Sequence, residues 1–228
     1  GITGGEPFMN PDILPIMQSC LARGFKLLVL TNAMRPMMRP RIQAGLLDLK
    51  KQFAEQLTLR VSIDHFDPAL HEEERGPGSW SAMIRGMQWL QRNGFAFHVA
   101  GRTRWGDSEG DLRQGYARVF DELNIRLDTE NPQALVLFPE IDVRAEVPEI
   151  TTACWDILGV DPSDMMCASS RMVVKRKGDA SPSVMACTLL AYEDNFNLGR
   201  NLADASAPVA LNHPSCAILG FSGHLISK

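Results

Sequence analysis

Along the first two thirds of the chain, apolar positions switch repeatedly between two spacings. From Pro11 to Arg23, the residues Ile13, Leu14, Met17, Cys20 and Leu21 recur at helical spacing. They predict an amphipathic helix with Asn10 as N-cap, Pro11 in its first position and Gly24 as its stop. Phe25 to Thr31 is a near-continuous apolar run, as expected of a strand buried on both faces. A helix through 42–53 follows. Over 57–64, Leu57, Leu59, Val61 and Ile63 then alternate with Thr58, Arg60, Ser62 and Asp64. Another helix carries Met83, Ile84, Met87 and Leu90 and ends at Asn93-Gly94, and 95–100 is a strand. Ser108 caps a helix bearing Leu112, Tyr116, Val119, Phe120 and Leu123. One more strand, 134–138, and one more helix, 148–158, complete this part, and the last helix accounts for Cys154.

Repeated strand–helix units imply parallel strands joined by right-handed crossovers, which close either as a doubly wound sheet or as a barrel. Glu6, Asn32, Ser62 with Asp64, and Arg102 or Arg104 stand at the C-terminal ends of separate strands. Polar groups gathered on that rim from successive strands favour the barrel, because a doubly wound sheet concentrates them at one switch point. From Cys167 the pattern changes. Two short runs, 171–177 and 184–190, predict a hairpin around Gly178-Asp179, followed by a short helix over 197–205 and an irregular tail from Pro208. The expectation is therefore an α/β protein: a partial (β/α) TIM-like barrel over 1–160 and a small α+β extension over 161–228. Too few residues precede the first turn to make a core strand, so the barrel is expected to be N-terminally incomplete.

Charge and composition narrow the function. The 228 residues carry 23 basic and 27 acidic side chains, a formal charge of −4, and 45% are hydrophobic. A sizeable core is affordable, whereas a field able to attract a phosphate backbone is lacking, so nucleic acid is not expected as a partner. No apolar run is long enough to cross a bilayer and no signal peptide is visible, so no membrane partner is expected. Five scattered cysteines with no close pairs suit a reducing cytoplasm.

The chain begins Gly1-Ile2-Thr3-Gly4-Gly5-Glu6-Pro7-Phe8. Two glycines let a backbone approach a ligand closely, and a fixed carboxylate beside them suits an ammonium group. This run resembles the Gly-Gly-Glu motif of radical S-adenosylmethionine (radical SAM) enzymes. Leu59-Arg60-Val61-Ser62-Ile63-Asp64 and Arg75-Gly76-Pro77-Gly78-Ser79-Trp80 are similar to later stretches of that family's peptide-modifying branches. The resemblance implies that Gly4, Gly5 and Glu6 hold the amino group of S-adenosylmethionine and that Ser62 lies beside its ribose and carboxylate. Asp64 would reach substrate or cofactor, and Arg102, with Arg104 close behind, would meet the carboxylate. It further implies a peptide or small-metabolite substrate, an electron donor such as flavodoxin or ferredoxin, and a 5′-deoxyadenosyl radical made with a 4Fe–4S cluster. The cluster's Cys-x3-Cys-x2-Cys ligands are absent from these residues and are expected upstream. Cys167, Cys187 and Cys216, near Gly178, resemble the ligands of a C-terminal auxiliary iron–sulfur site of the SPASM/twitch kind. A degenerate barrel serving as a binding or scaffold protein is the alternative. A Schiff-base aldolase is disfavoured, since neither Lys26, Lys50 nor Lys51 lies at a strand's C-terminal end.

Overall fold

Four strands, β1 (Leu27–Thr31), β2 (Leu57–Ser62), β3 (Phe97–Arg102) and β4 (Leu135–Phe138), lie in that order in one parallel sheet. The computed structural model describes residues 1–140 and 150–216. Helix α1 (Ile13–Ala22) precedes β1, and α2 (Pro40–Phe53) joins β1 to β2. Two helices, α3 (Pro68–Arg75) and α4 (Ser79–Arg92), join β2 to β3, and α5 (Glu109–Glu122) joins β3 to β4. A sheet order that never reverses, with crossovers of one hand, keeps all the helices on one face. No switch point of a doubly wound sheet is present among these strands, and the winding is that of a partial β/α fold. Ile2 adds a parallel bridge to Val29, its N–H donating to the Leu28 carbonyl and its carbonyl accepting from the Leu30 N–H.

The two faces of the sheet differ in kind. Leu27, Val29 and Thr31 of β1, Leu57, Leu59 and Val61 of β2, and Leu135 and Leu137 of β4 are buried on the helix-covered face. They pack with Ile13, Met17, Leu46, Met83, Met87 and Phe120 from the helices. Residues alternating with them are half-buried on the opposite face, which carries Thr58, Arg60 and Ser62 of β2 and His98, Ala100 and Arg102 of β3. The register aligns Thr31 with Val61, Arg60 with His98, and Ser62 with Ala100.

Two local features depart from the sequence expectation. Helix α1 begins at Ile13, because Asn10 turns its Oδ1 to the Asp12 N–H and Pro7–Met9 form a separate 3₁₀ turn. Helix α3 is not predicted by the apolar pattern of the sequence. Its signal is Asp67-Pro68, with Asp67 Oδ1 accepting from the Ala69 N–H and Pro68 in the first helical position.

The loop after β1 is held from behind by α4. Ala33 has φ 55°, and a methyl group added at Gly86 would overlap its carbonyl oxygen. That neighbour is backbone and cannot swing aside. Gly86→Ala is therefore expected to destabilise the protein by roughly 2–3 kcal/mol despite alanine's better helix propensity, as measured by denaturant unfolding.

The chain divides into two compact units, Gly1–Glu140 and Ile141–Lys228. The division falls at 140 rather than 160. Helix α6 (Ala153–Leu158) thus belongs to the second unit, a six-residue helix that no further strand of the parallel sheet follows. Residues 148 and 149 of the longer helix expected there lie outside the described residues. The second unit also contains α7 (Met166–Ser169) and an antiparallel pair, β5 (Met172–Val174) with β6 (Ser183–Met185). Met185, Ala186, Leu190 and Phe196 form its small core. The hairpin is present but shorter than its apolar runs, and of the helix expected over 197–205 only the 3₁₀ turn Asp204–Ser206 forms.

Candidate cofactor site at the C-terminal edge of the sheet

The opening turn is fixed by its own carboxylate. Glu6 Oε1 accepts from the Phe8 N–H at 3.1 Å, and Oε2 accepts from the Asn32 N–H at 2.8 Å. The Thr31 hydroxyl lies 3.0 and 3.1 Å from the two oxygens and itself accepts from the Ala33 N–H at 3.0 Å. Asn32 Oδ1 then accepts from the Met34 N–H. A carboxylate offers about four lone-pair directions, so most of its capacity is used. Glu6 thereby ties the turn to the tip of β1.

Gly4 and Gly5 have φ of 100° and 52°, and a Cβ built on either meets nothing within 4 Å. The turn thus presents bare backbone to open space. Thr31 points to the helix-covered face, whereas Ser62, on the neighbouring strand, points to the other. Extending the register by one residue sets Asn32 level with Ser62, and neighbouring strands lie about 4.8 Å apart. Turn and serine therefore share one end of the sheet. The part of the turn open to a ligand is the Gly4-Gly5 backbone, with Glu6 behind it. Ser62 Oγ makes no hydrogen bond to any described residue.

Asp64 is differently placed from Ser62. It is 2% exposed and held by a guanidinium fork, Arg75 Nε donating to Oδ2 at 2.5 Å and Nη2 to Oδ1 at 3.1 Å. Arg102 Nε pairs with Oδ1 at 3.1 Å, and the Arg102 N–H donates to the Asp64 carbonyl. Arg102 also reaches Glu74 at 3.7 Å and Glu140 at 3.9 Å, and Arg104 is paired with Glu74. Burial alone would raise the Asp64 carboxyl, but the Arg75 hydrogen bonds and charge, aided by Arg102, hold it below the usual carboxylate range. Asp64 is thus engaged by two arginines, and it orients Arg102 on the rim. Arg75 opens the Arg75-Gly76-Pro77-Gly78 stretch and is the last residue of α3, a helix the apolar pattern does not predict, so its partner is not visible from the sequence.

His65, 2% exposed, accepts from the Asp67 N–H at Nδ1 and faces Asp107 from Nε2 at 3.3 Å, so both ring nitrogens are used structurally. His71 is fully buried, and neither of its ring nitrogens has a hydrogen-bond partner. Burial lowers its tendency to protonate, against a smaller opposing pull from Asp64. The unfolded chain takes up that proton near pH 6.5, while the folded chain resists it until lower pH. Stability is accordingly expected to fall as pH drops below about 6.5, and His71→Phe should remove part of that fall in denaturant titrations run at successive pH values.

Residues 1–103 match the radical SAM superfamily. The match runs from the double-glycine turn through Ser62 and Asp64 to the end of β3, so it contains Glu6, Asp64, Arg75 and Arg102 but not Arg104, Asp107 or Glu140. No curated protein matches the chain. Members of the radical SAM superfamily typically use S-adenosylmethionine, and the bare double-glycine backbone lies within the matched residues. The radical SAM superfamily typically pairs that cofactor with a 4Fe–4S cluster, for which these residues contain no Cys-x3-Cys-x2-Cys ligand set. No helix among the described residues is long and apolar enough to cross a membrane.

The three cysteines expected at an auxiliary iron–sulfur site all lie in the second unit. Cys167, Cys187 and Cys216 are half-buried free thiols close enough to influence one another electrostatically. Burial first, and the neighbouring thiols after it, push Cys167 and Cys216 up. Among the described residues no group of three or more His, Cys, Asp or Glu is disposed to hold a metal ion.

Proposed function

We propose that this chain is the S-adenosylmethionine-binding part of a radical SAM enzyme that modifies a peptide or a small metabolite. The observation that carries the proposal is the Gly4-Gly5 turn, open above its backbone and locked to β1 by Glu6, beside the unpartnered hydroxyl of Ser62. In this reading the turn's backbone receives the ammonium end of the cofactor's methionine and Ser62 hydrogen-bonds its ribose or carboxylate. Arg102, steered by Asp64, supplies positive charge for the carboxylate, while Glu6 and Asp64 act as positioning residues. When an iron–sulfur cluster is bound in such enzymes, it supplies the electron that cleaves the sulfonium. An electron donor of the flavodoxin or ferredoxin kind would serve it. A degenerate barrel that binds a ligand without radical chemistry is the alternative reading.

Calorimetric titration with S-adenosylmethionine tests the reading. One saturable site is expected, and Ser62→Val should weaken it about tenfold, the worth of one hydrogen bond. Absence of binding to a folded protein would contradict it.

A further inference from the structure

The exposed-side face of the parallel sheet carries a charge in its middle. Parallel strands are normally apolar on both faces. Arg60 nevertheless sits centrally on β2, directly across the register from His98 on β3, and both side chains stand on the face that the helices do not cover. Leu28 and Leu30 of β1 and Val136 of β4 flank them on that face, so the pair is framed by apolar side chains. Arg60 Nε and His98 Nδ1 are both buried and have no hydrogen-bond partner, and no described carboxylate lies within ion-pair distance of Arg60. Contrast this with Arg75, Arg102 and Arg104, each of which has an acidic partner. A half-buried guanidinium with an idle Nε beside an idle imidazole is costly unless something compensates for it.

We propose that Arg60 and His98 form a binding subsite for a small oxyanion, a carboxylate or phosphate carried by the substrate. A carboxylate or phosphate matches the guanidinium fork bidentately, and the imidazole adds a further donor. Arg60 lies two residues below Ser62 on the same strand and face, a rise of about 6.6 Å. An anionic group held there sits one side-chain layer below the rim. Burial, and secondarily the Arg60 charge, keep the His98 ring neutral in the free protein, and a bound anion would offset both. The subsite rests on the sheet geometry and not on the cofactor reading, so each can fail alone.

Imidazole NMR of His98 reads the subsite directly. Titration with inorganic phosphate, and separately with acetate, is expected to raise the His98 pKa by about one unit, a tenfold change in proton affinity. Arg60→Met should abolish the shift, and Arg60→Lys, which keeps the charge but loses the fork, should weaken anion binding about tenfold. A response to phosphate alone supports a phosphorylated ligand, and a response to both supports a carboxylate. Should Arg60→Met fail to fold, the Arg60 Nε resonance of the unmodified protein serves instead and is expected to move with added anion. No response of His98 or Arg60 to either anion, or a shift that survives in folded Arg60→Met, would overturn the proposal. S-adenosylmethionine titration of the same variants, expected to be unchanged within a factor of about two, keeps the two readings separate.

Discussion

Glu6→Ala is expected to lower the unfolding free energy by roughly 3 kcal/mol, a fall of about 10 °C in the melting temperature. The Phe8 N–H, the Asn32 N–H and the Thr31 hydroxyl all donate to this one carboxylate. Hydrogen bonds to a charged acceptor contribute about 1.5–3 kcal/mol each where partly shielded, and here water can replace some of them, so the sum stays well below its ceiling. Glu6→Gln is not a neutral control, because one end of its amide would place an N–H against a donor. It should cost about half as much as Glu6→Ala. Both variants should also weaken S-adenosylmethionine binding, since a loosened turn presents its backbone poorly. Thermal unfolding with and without the cofactor separates the two effects. A Glu6→Ala protein as stable as its parent would show that the carboxylate does not anchor the turn.

Asp64→Ala is expected to destabilise by about 3–4 kcal/mol, the loss that follows removal of one partner from a buried ion pair. Arg75 and Arg102 keep partial access to water, 29% and 41% exposed at their side chains, which limits the loss to the lower part of the usual range. The pH dependence has a defined sign. The folded carboxyl titrates below its unfolded value of about 3.9, so its contribution is full above that value and is lost as pH falls through the lower, folded one. The unmodified protein should therefore lose stability steeply below about pH 4, and Asp64→Asn should flatten that limb while being less stable at neutral pH. Equal acid sensitivity in the two proteins would count against the fork.

Most of the first unit was legible because its physics is local. Alternation over 57–62 fixed β2, and helical spacing fixed the buried faces of α1, α4 and α5. Helix α3 was hidden because its eight residues bury only His71, so it carries no apolar stripe to recognise. The site was legible as a set of positions on a rim, since the rim follows from strand ends. Its pairings were not: Asp64 finds Arg75 and Arg102 across 11 and 38 residues of sequence, and Glu6 finds Asn32 across 26. Such partners depend on how the helices pack, which strand alternation does not encode. The same limit applies to Cys167, Cys187 and Cys216. Their spacing spoke to proximity and was silent about whether the sulfurs converge on a point.

The most direct measurement of the central claim is S-adenosylmethionine affinity in Gly5→Asn. At φ 52° asparagine is among the few residues that tolerate the backbone, and the space above Gly5 is empty, so the variant should fold with nearly unchanged stability. Its side chain would occupy the volume assigned to the cofactor's amino-acid end. Affinity is predicted to fall by at least about a hundredfold, roughly 2.7 kcal/mol, in a protein whose melting temperature hardly moves. Binding of S-adenosylmethionine by Gly5→Asn at the unmodified affinity would contradict the assignment of the double-glycine turn as the cofactor's cradle.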